Sequence, residues 1–184
     1  MKEHYDSLLN VLWISMEKVE KKYIKFEVAN VEDPIQRERA YCYELYHQIR
    51  NRHDNLTGGY TVTPEPNKKN HPIIEDHCGP VDPDFIVHNN GNMGPKDNLA
   101  VIEVKTSNGD LTAGINKDVE TINCMTSLEN GYFGGVIIVF GEFTDLKRKN
   151  LEKRIKDKIS KNINKMTLIL QNAPNEKAAR IVIK

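Results

Sequence analysis

Two carboxylates and one ammonium group in this chain are placed where a small reaction centre could form. Asp84 follows Pro83, and further along the chain Glu103 and Lys105 flank Val104. Side chains of a strand alternate between its two faces, so Glu103 and Lys105 would share one face while Val104 points to the other. Charged groups at the end of an apolar strand are costly to desolvate unless they are paired or bind a metal ion. The pattern therefore predicts a polar site.

These residue types suit metal-assisted hydrolysis. Asp84 is expected to enter from the preceding strand, because consecutive strands usually pair. Two carboxylates near one backbone carbonyl form a natural site for Mg²⁺ or Mn²⁺. Such an ion keeps several bound waters, and one of these waters can attack a phosphodiester. We expect Asp84 and Glu103 to bind the metal. Lys105 would orient or help deprotonate the water, or neutralise charge in the transition state.

The elements that must position these residues follow from hydrophobic periodicity and turn signals. Helices are predicted over about residues 5–26, over a segment that begins after Pro34, over 110–128 and over about 144–164. Strands are predicted over 60–63, 84–88, 99–105, 134–140, 167–170 and 180–183, and a polar loop over 67–79. Residues 134–140 are apolar throughout, which is typical of a central strand buried on both faces. The order predicts one mixed α/β domain over residues 1–184.

The combination of Pro83-Asp84 with Glu103-Val104-Lys105 resembles the PD-(D/E)xK nuclease superfamily, which includes restriction endonucleases and Holliday-junction resolvases. Members share a core of helix, three strands, helix and strand, which matches the predicted order from Pro34 to Phe140. The resemblance implies a restriction-endonuclease-like mixed sheet flanked by helices. It also implies metal-dependent endonuclease activity on DNA in a restriction, defence or repair system. The additional N-terminal helix, C-terminal helix and short end strands are not explained by it.

The family usually adds an acid from its first core helix, and two residues are available for that role. Glu38 lies on the same helical stripe as Cys42 and Leu45, at about 100° per residue, whereas Glu44 falls away from the centre of that stripe. The order of Glu38 and the apolar positions after it is similar to the resolvase helix. We therefore prefer Glu38 as the fourth catalytic residue, assisting through a metal-bound water. Glu44 remains the alternative, and a helix-dipole role is an equal alternative for Glu38 itself.

Composition limits the classes of protein to which this chain can belong. The chain has 184 residues, with 26 basic and 26 acidic side chains, so bulk charge alone would not hold it on nucleic acid. No apolar run approaches the roughly 18 residues that a membrane span needs, and the polar N-terminus does not suggest a signal peptide. Three widely spaced cysteines favour reduced thiols in a cytoplasmic protein.

The late helix is strongly basic and could form either a nucleic-acid surface or an ordinary solvated face. Asn116 and Lys117, on the preceding helix, could likewise reach a phosphate, although solvated positions are commoner. The resemblance is compatible with a homodimer, since cutting both strands of a duplex needs two centres. It is also compatible with a helicase, a methylase or another defence-system partner. The alternatives to a nuclease are a catalytically silent module that binds nucleic acid or a partner protein, and a structural domain with incidental charges.

Overall fold

The computed structural model describes residues 1–52, 56–66, 72–92, 94, 96–108, 111–172 and 177–184. Its helices are α1 (Lys2–Met16), α2 (Lys21–Ile24), α3 (Glu38–Arg50), α4 (Pro72–Cys78), α5 (Leu111–Ser127) and α6 (Asp145–Lys158). Its strands are β1 (Thr61–Pro64), β2 (Phe85–His88), β3 (Asn98–Thr106), β4 (Gly134–Phe140), β5 (Lys165–Gln171) and β6 (Ala179–Val182). None of the described helices combines the length and the apolar character that a membrane crossing needs.

The six strands form one open sheet in the order β1-β2-β3-β4-β5-β6. β1 pairs with β2, and β2 with β3, in antiparallel fashion, whereas β3, β4 and β5 run parallel to one another and β6 pairs antiparallel with β5. The parallel connections run through α5 and α6, as parallel pairs require a crossover. All seven residues of β4 are buried, which confirms the prediction of a central strand covered on both faces.

Alternation along the strands divides the core into two layers. Ala100, Ile102 and Val104 of β3 pack with α1 and α3 on one side of the sheet. Val101, Val139 and neighbouring residues pack with α5 and α6 on the other side. The odd-numbered residues at the end of β3, Glu103 and Lys105, therefore lie on the face that α5 covers. The sheet with helices on both sides confirms the predicted mixed α/β class.

The predicted helix, three strands, helix and strand occur in the predicted order as α3, β1, β2, β3, α5 and β4, but α4 is inserted between β1 and β2. α4 was not predicted. Residues 67–79 were expected to form a loop, but α4 occupies Pro72–Cys78, and only residues 67–71 of that segment lie outside the described residues. The two histidines and the proline suggested a loop, yet proline is well tolerated in the first turn of a helix. The predicted helix start at residue 110 also lies outside the described residues.

Two predicted helices were too long. The first was predicted to reach residue 26, but α1 ends at Met16 and a separate α2 follows. Val19 and Ile24 remain buried across the break, so the apolar period continues although the helix does not. α6 ends at Lys158 instead of near residue 164 because Ile159 turns to an extended conformation, with ψ of 136°. Periodicity records which residues are buried, not whether the backbone between them is continuous.

The cysteine prediction was wrong. Cys78 at the end of α4 and Cys124 of α5 form a disulfide with a Cα–Cα distance of 5.7 Å, and Cys42 is a buried free thiol. The two partners are 46 residues apart, and only the packing of α4 and α5 against each other brings them together. The disulfide removes the cysteine-based reason for expecting a cytoplasmic location, which stays a prediction.

Candidate active site

The β2–β3 pair brings Asp84 and Glu103 to the same place. Phe85 pairs with Ile102 in the antiparallel register, so continuing the register by one residue sets Asp84 opposite Glu103. Directly opposed residues of an antiparallel pair project to the same face, with Cβ atoms about 5 Å apart. Asp84 is fixed further at its backbone, where its carbonyl oxygen accepts a hydrogen bond of 2.8 Å from the Glu65 N–H.

Glu103 is buried at this place, and Asp84 is half-buried beside it. Asp84 Oδ2 accepts a hydrogen bond of 2.7 Å from the Val104 N–H, and Glu103 is only 5% exposed. Burial raises the pKa of Asp84, although the Val104 N–H and Lys105 oppose the rise. Burial raises the pKa of Glu103 as well, and the charges of Asp118 and Asp84 add to the rise. Hydrogen bonding between the two side chains raises the pKa of Glu103 further and opposes the rise in the pKa of Asp84, as expected when two carboxyls occupy one site.

Lys105 extends from β3 into a ring of acids. Its Nζ donates to the Val104 carbonyl at 3.0 Å and to Glu38 Oε1 at 3.2 Å, and lies 3.5 Å from Asp118 Oδ1. Burial opposes the charged form, but the surrounding carboxylates outweigh it and raise the pKa of Lys105. Lys105 is therefore an ammonium group in this arrangement.

Gly114 of α5 makes room for the Lys105 side chain. A Cβ at position 114 would lie 3.3 Å from Lys105 Cδ, which is closer than ordinary van der Waals contact. The helix therefore packs directly on the stem of the lysine. This contact holds the ammonium group at the end of β3.

The structure separates the two candidate helix acids. Glu38 is the first residue of α3 and reaches Lys105, and burial raises the pKa of its carboxyl while the Lys105 charge opposes the rise. Glu44 is also buried, at 8% exposure, but its Oε1 accepts a hydrogen bond of 2.7 Å from Gln48 Nε2 on the same helix. The preferred residue, Glu38, thus lies with the other three candidates, and Glu44 is held elsewhere on α3.

Asp118 of α5 belongs to the same cluster and was not predicted. It is 3% exposed, its Oδ1 faces Lys105, and its Oδ2 is buried without a hydrogen-bond partner among the described residues. Burial raises the pKa of Asp118 to about 7, although Lys105 lowers it. A signal was present, because Asp118 is three residues after Ile115 and four before Ile122 on the inward stripe of α5. Like Glu38, Asp118 is a carboxylate on a helical stripe that is otherwise apolar.

The site as a whole carries an excess of acid. Four carboxyl groups surround one ammonium group: Glu38, Asp84, Glu103 and Asp118 around Lys105. Among the residues that the structure describes, no three His, Cys, Asp or Glu side chains form a ready-made metal-binding group. The pair that could hold a cation is Asp84 with Glu103. The arrangement can bind a cation, share protons among carboxyl groups and present an ammonium group to an anion.

Comparisons with known proteins do not identify a family. No protein-family model, no curated protein and no solved structure matches the chain. The function of the chain is therefore inferred from the residues of the site and from the elements that carry them.

Proposed function

We propose that this protein is a metal-dependent endonuclease of the PD-(D/E)xK type that hydrolyses phosphodiester bonds in DNA. The observation that carries the proposal is the pairing of the half-buried Asp84 with the buried Glu103, with the Lys105 ammonium group beside them at the end of β3. The order of α3, β1–β3, α5 and β4 supports a restriction-endonuclease-like core, with β1–β3 antiparallel and β4 parallel to β3.

The donor set fits Mg²⁺ or Mn²⁺. Asp84 and Glu103 would hold the ion through carboxylate oxygens, the ligands that these hard cations prefer, together with the neighbouring Val104 carbonyl. The negative charge of Asp84 contributes to the raised pKa of Glu103, and a cation between the two carboxylates would relieve that repulsion. When bound, such an ion supplies an activated water and neutralises charge on phosphoryl oxygens.

The chain's own residues account for orientation and proton transfer. Because Lys105 is protonated, its role in the proposal is to donate a hydrogen bond to the attacking water or to a phosphoryl oxygen, not to accept a proton. Glu38 accepts a hydrogen bond from Lys105, and the pKa of its carboxyl is raised. A raised pKa suits a group that takes the proton from the water. Attack by the water oxygen on phosphorus breaks the bond to the leaving sugar oxygen, which takes a proton from bulk water, while Glu38 releases to solvent the proton that it accepted.

Cleavage of supercoiled plasmid and branched DNA with Mg²⁺ or Mn²⁺ tests the proposal. The wild-type protein is compared with Glu103→Ala and Lys105→Ala. We expect metal-dependent cleavage that falls by at least about 100-fold in each variant, the size of effect seen when one group that stabilises a transition state is removed. Lys2→Ala and Glu3→Ala are matched controls, since they remove the same charges from the exposed side of α1.

The outcomes separate the proposal from its alternative. Cleavage by the wild type and both controls, with loss in both site variants, supports the nuclease. Intact DNA with every protein, or equal cleavage by the site variants, would exclude the catalytic role. Retained DNA binding without cleavage would then favour the silent binding module. A homodimer or a helicase or methylase partner would be examined after cleavage is established.

A further inference from the structure

A basic groove lies between α5 and α6, apart from the acid cluster. It is open, has a volume of about 610 Å³, and is bounded by the first turn of α5 and one side of α6. Its charged lining consists of Lys147, Lys153, Arg154, Asp157 and Lys158. Four cations thus converge on a concave surface with one acid.

The groove cations are not neutralised by ion pairs with other described residues. Lys147 Nζ donates to the Ser107 carbonyl and Arg154 donates to Asn116 Oδ1, both of which are neutral acceptors. Lys153 and Lys158 are exposed and form no ion pair with any residue that the structure describes. Like charges gathered in a concavity repel one another, so an anion placed among them is favoured.

The groove is adjacent to the proposed reaction centre. Ser107, which Lys147 contacts, follows Lys105 by two residues at the end of β3. On α5, Thr112 lines the groove, while Gly114 packs on Lys105. The groove and the acid cluster thus flank the first turns of one helix, whose diameter is about 10 Å.

We infer that the α5–α6 groove binds the sugar–phosphate backbone of DNA next to the bond held at the acid cluster. The inference rests on the proposed nuclease function for the identity of the bound polymer. The groove identifies one side of α6 as the surface that contacts DNA. The sequence of α6 alone, with seven basic and three acidic residues, does not show which side that is. Contacts in the groove would supply affinity that does not depend on the DNA sequence. A chain of zero net charge needs such a local basic surface to bind DNA.

Binding of a fluorescein-labelled duplex of about 30 base pairs tests the inference, with fluorescence anisotropy measured in Ca²⁺ over a series of salt concentrations. The groove variant is Lys153→Ala with Arg154→Ala. Its matched control is Arg148→Ala with Lys149→Ala, which removes the same two charges from exposed positions of α6 that do not line the groove. We expect affinity to fall about tenfold or more in the groove variant, with a salt slope smaller by about 2. In cleavage assays the groove variant should raise KM with little change in kcat.

The result that would overturn the inference is distinct from failure of the nuclease proposal. If the groove variant and its control bind DNA equally well, with equal salt slopes, the groove is a solvated surface even if the wild type cleaves DNA. If the wild type has no affinity for the duplex, the inference fails outright. If binding depends on Lys153 and Arg154 but no cleavage occurs, the groove inference stands and the nuclease proposal fails.

Discussion

Glu38 and Glu44 show how one helix can carry two acids with different surroundings, the first half-buried and the second buried. Glu38 begins α3 and contacts Lys105 across a sequence separation of 67 residues, while Glu44 is bonded to Gln48 one turn away. The first contact joins separate elements, and the second is local to the helix. Only the first can influence the groups at the end of β3.

A pair of substitutions distinguishes these acids. Glu38→Gln is expected to lower the cleavage rate by about 100-fold, the lower end of what a positioned acid or base contributes, because the amide cannot accept a proton. Glu44→Gln keeps the same size and should leave the rate within about threefold, well below that range. Metal-dependent cleavage at saturating DNA measures both. Equal losses in the two variants, or a loss only in Glu44→Gln, would reverse the assignment.

Asp118 makes the protein's stability depend on pH. Its pKa rises from 3.8 to about 7 on folding, chiefly through burial, so the native state binds this proton more tightly than the unfolded chain does. Stability from this source is complete below pH 3.8 and is lost as the pH rises toward about 7. Glu38, Asp84 and Glu103 have raised pKa values too and contribute in the same direction, while Lys105 opposes the shift of Asp118.

Asp118→Asn should therefore flatten this dependence. We expect the wild-type free energy of unfolding in EDTA to fall between about pH 4 and about pH 7, and to fall by less in Asp118→Asn, which should be the more stable protein at pH 8. Urea unfolding at several pH values measures the slope. Asp33→Asn, at an exposed position before α3, is the control and should keep the wild-type slope. Identical slopes in all three proteins would mean that Asp118 ionises as an ordinary surface acid.

At the scale of elements, α4 and α5 are joined more strongly than packing alone would join them. The Cys78–Cys124 disulfide closes a loop with a sequence separation of 46 residues. Closing a loop of this length stabilises the folded state by about 4 kcal/mol in the chain-entropy model, mainly by restricting the unfolded chain. α5 also carries Gly114 and Asp118 against Lys105, so the disulfide braces the helix that supports the site.

Removing the disulfide gives a direct measure of that contribution. The double variant Cys78→Ser with Cys124→Ser is expected to lose about 2–4 kcal/mol in the free energy of unfolding, measured by urea denaturation. Dithiothreitol should produce a similar loss in the wild type and none in the double variant. Cys42, the buried free thiol, should resist labelling in the native protein. A wild-type protein unaffected by dithiothreitol, with all three thiols reactive after unfolding, would show that the bond does not form.

The sequence predicted individual strands well because their pattern is local. Residues 134–140 have no polar interruption, and alternation alone placed Glu103 and Lys105 on one face. α4 and the disulfide could not be predicted in this way, because Cys78 and Cys124 approach each other only after α4 and α5 pack. Asp118 is an intermediate case, since the stripe of α5 indicated burial while its contact with Lys105 depends on how the helix lies over β3.

At the scale of the whole molecule, a net charge of zero conceals a strong separation of charge. Four acids crowd around Lys105 on one side of the first turns of α5, and four cations line the groove on the other side. Neither group is visible in the balance of 26 basic and 26 acidic residues. For the proposed nuclease the separation matters, because a metal ion and a polyanion require opposite local charge.

The disulfide also makes the central part of the chain a covalent ring. Asp84, Glu103, Lys105 and Asp118 all lie between Cys78 and Cys124 in the sequence. The ring also contains the exposed turn at Asn90 and Gly91 that joins β2 to β3. A single protease cut in that turn would open the backbone between Asp84 and Glu103, yet both pieces would stay attached through sulfur. The nicked molecule would therefore remain one covalent species, with Asp84 on one piece and Glu103 on the other, until a reductant cleaved the disulfide.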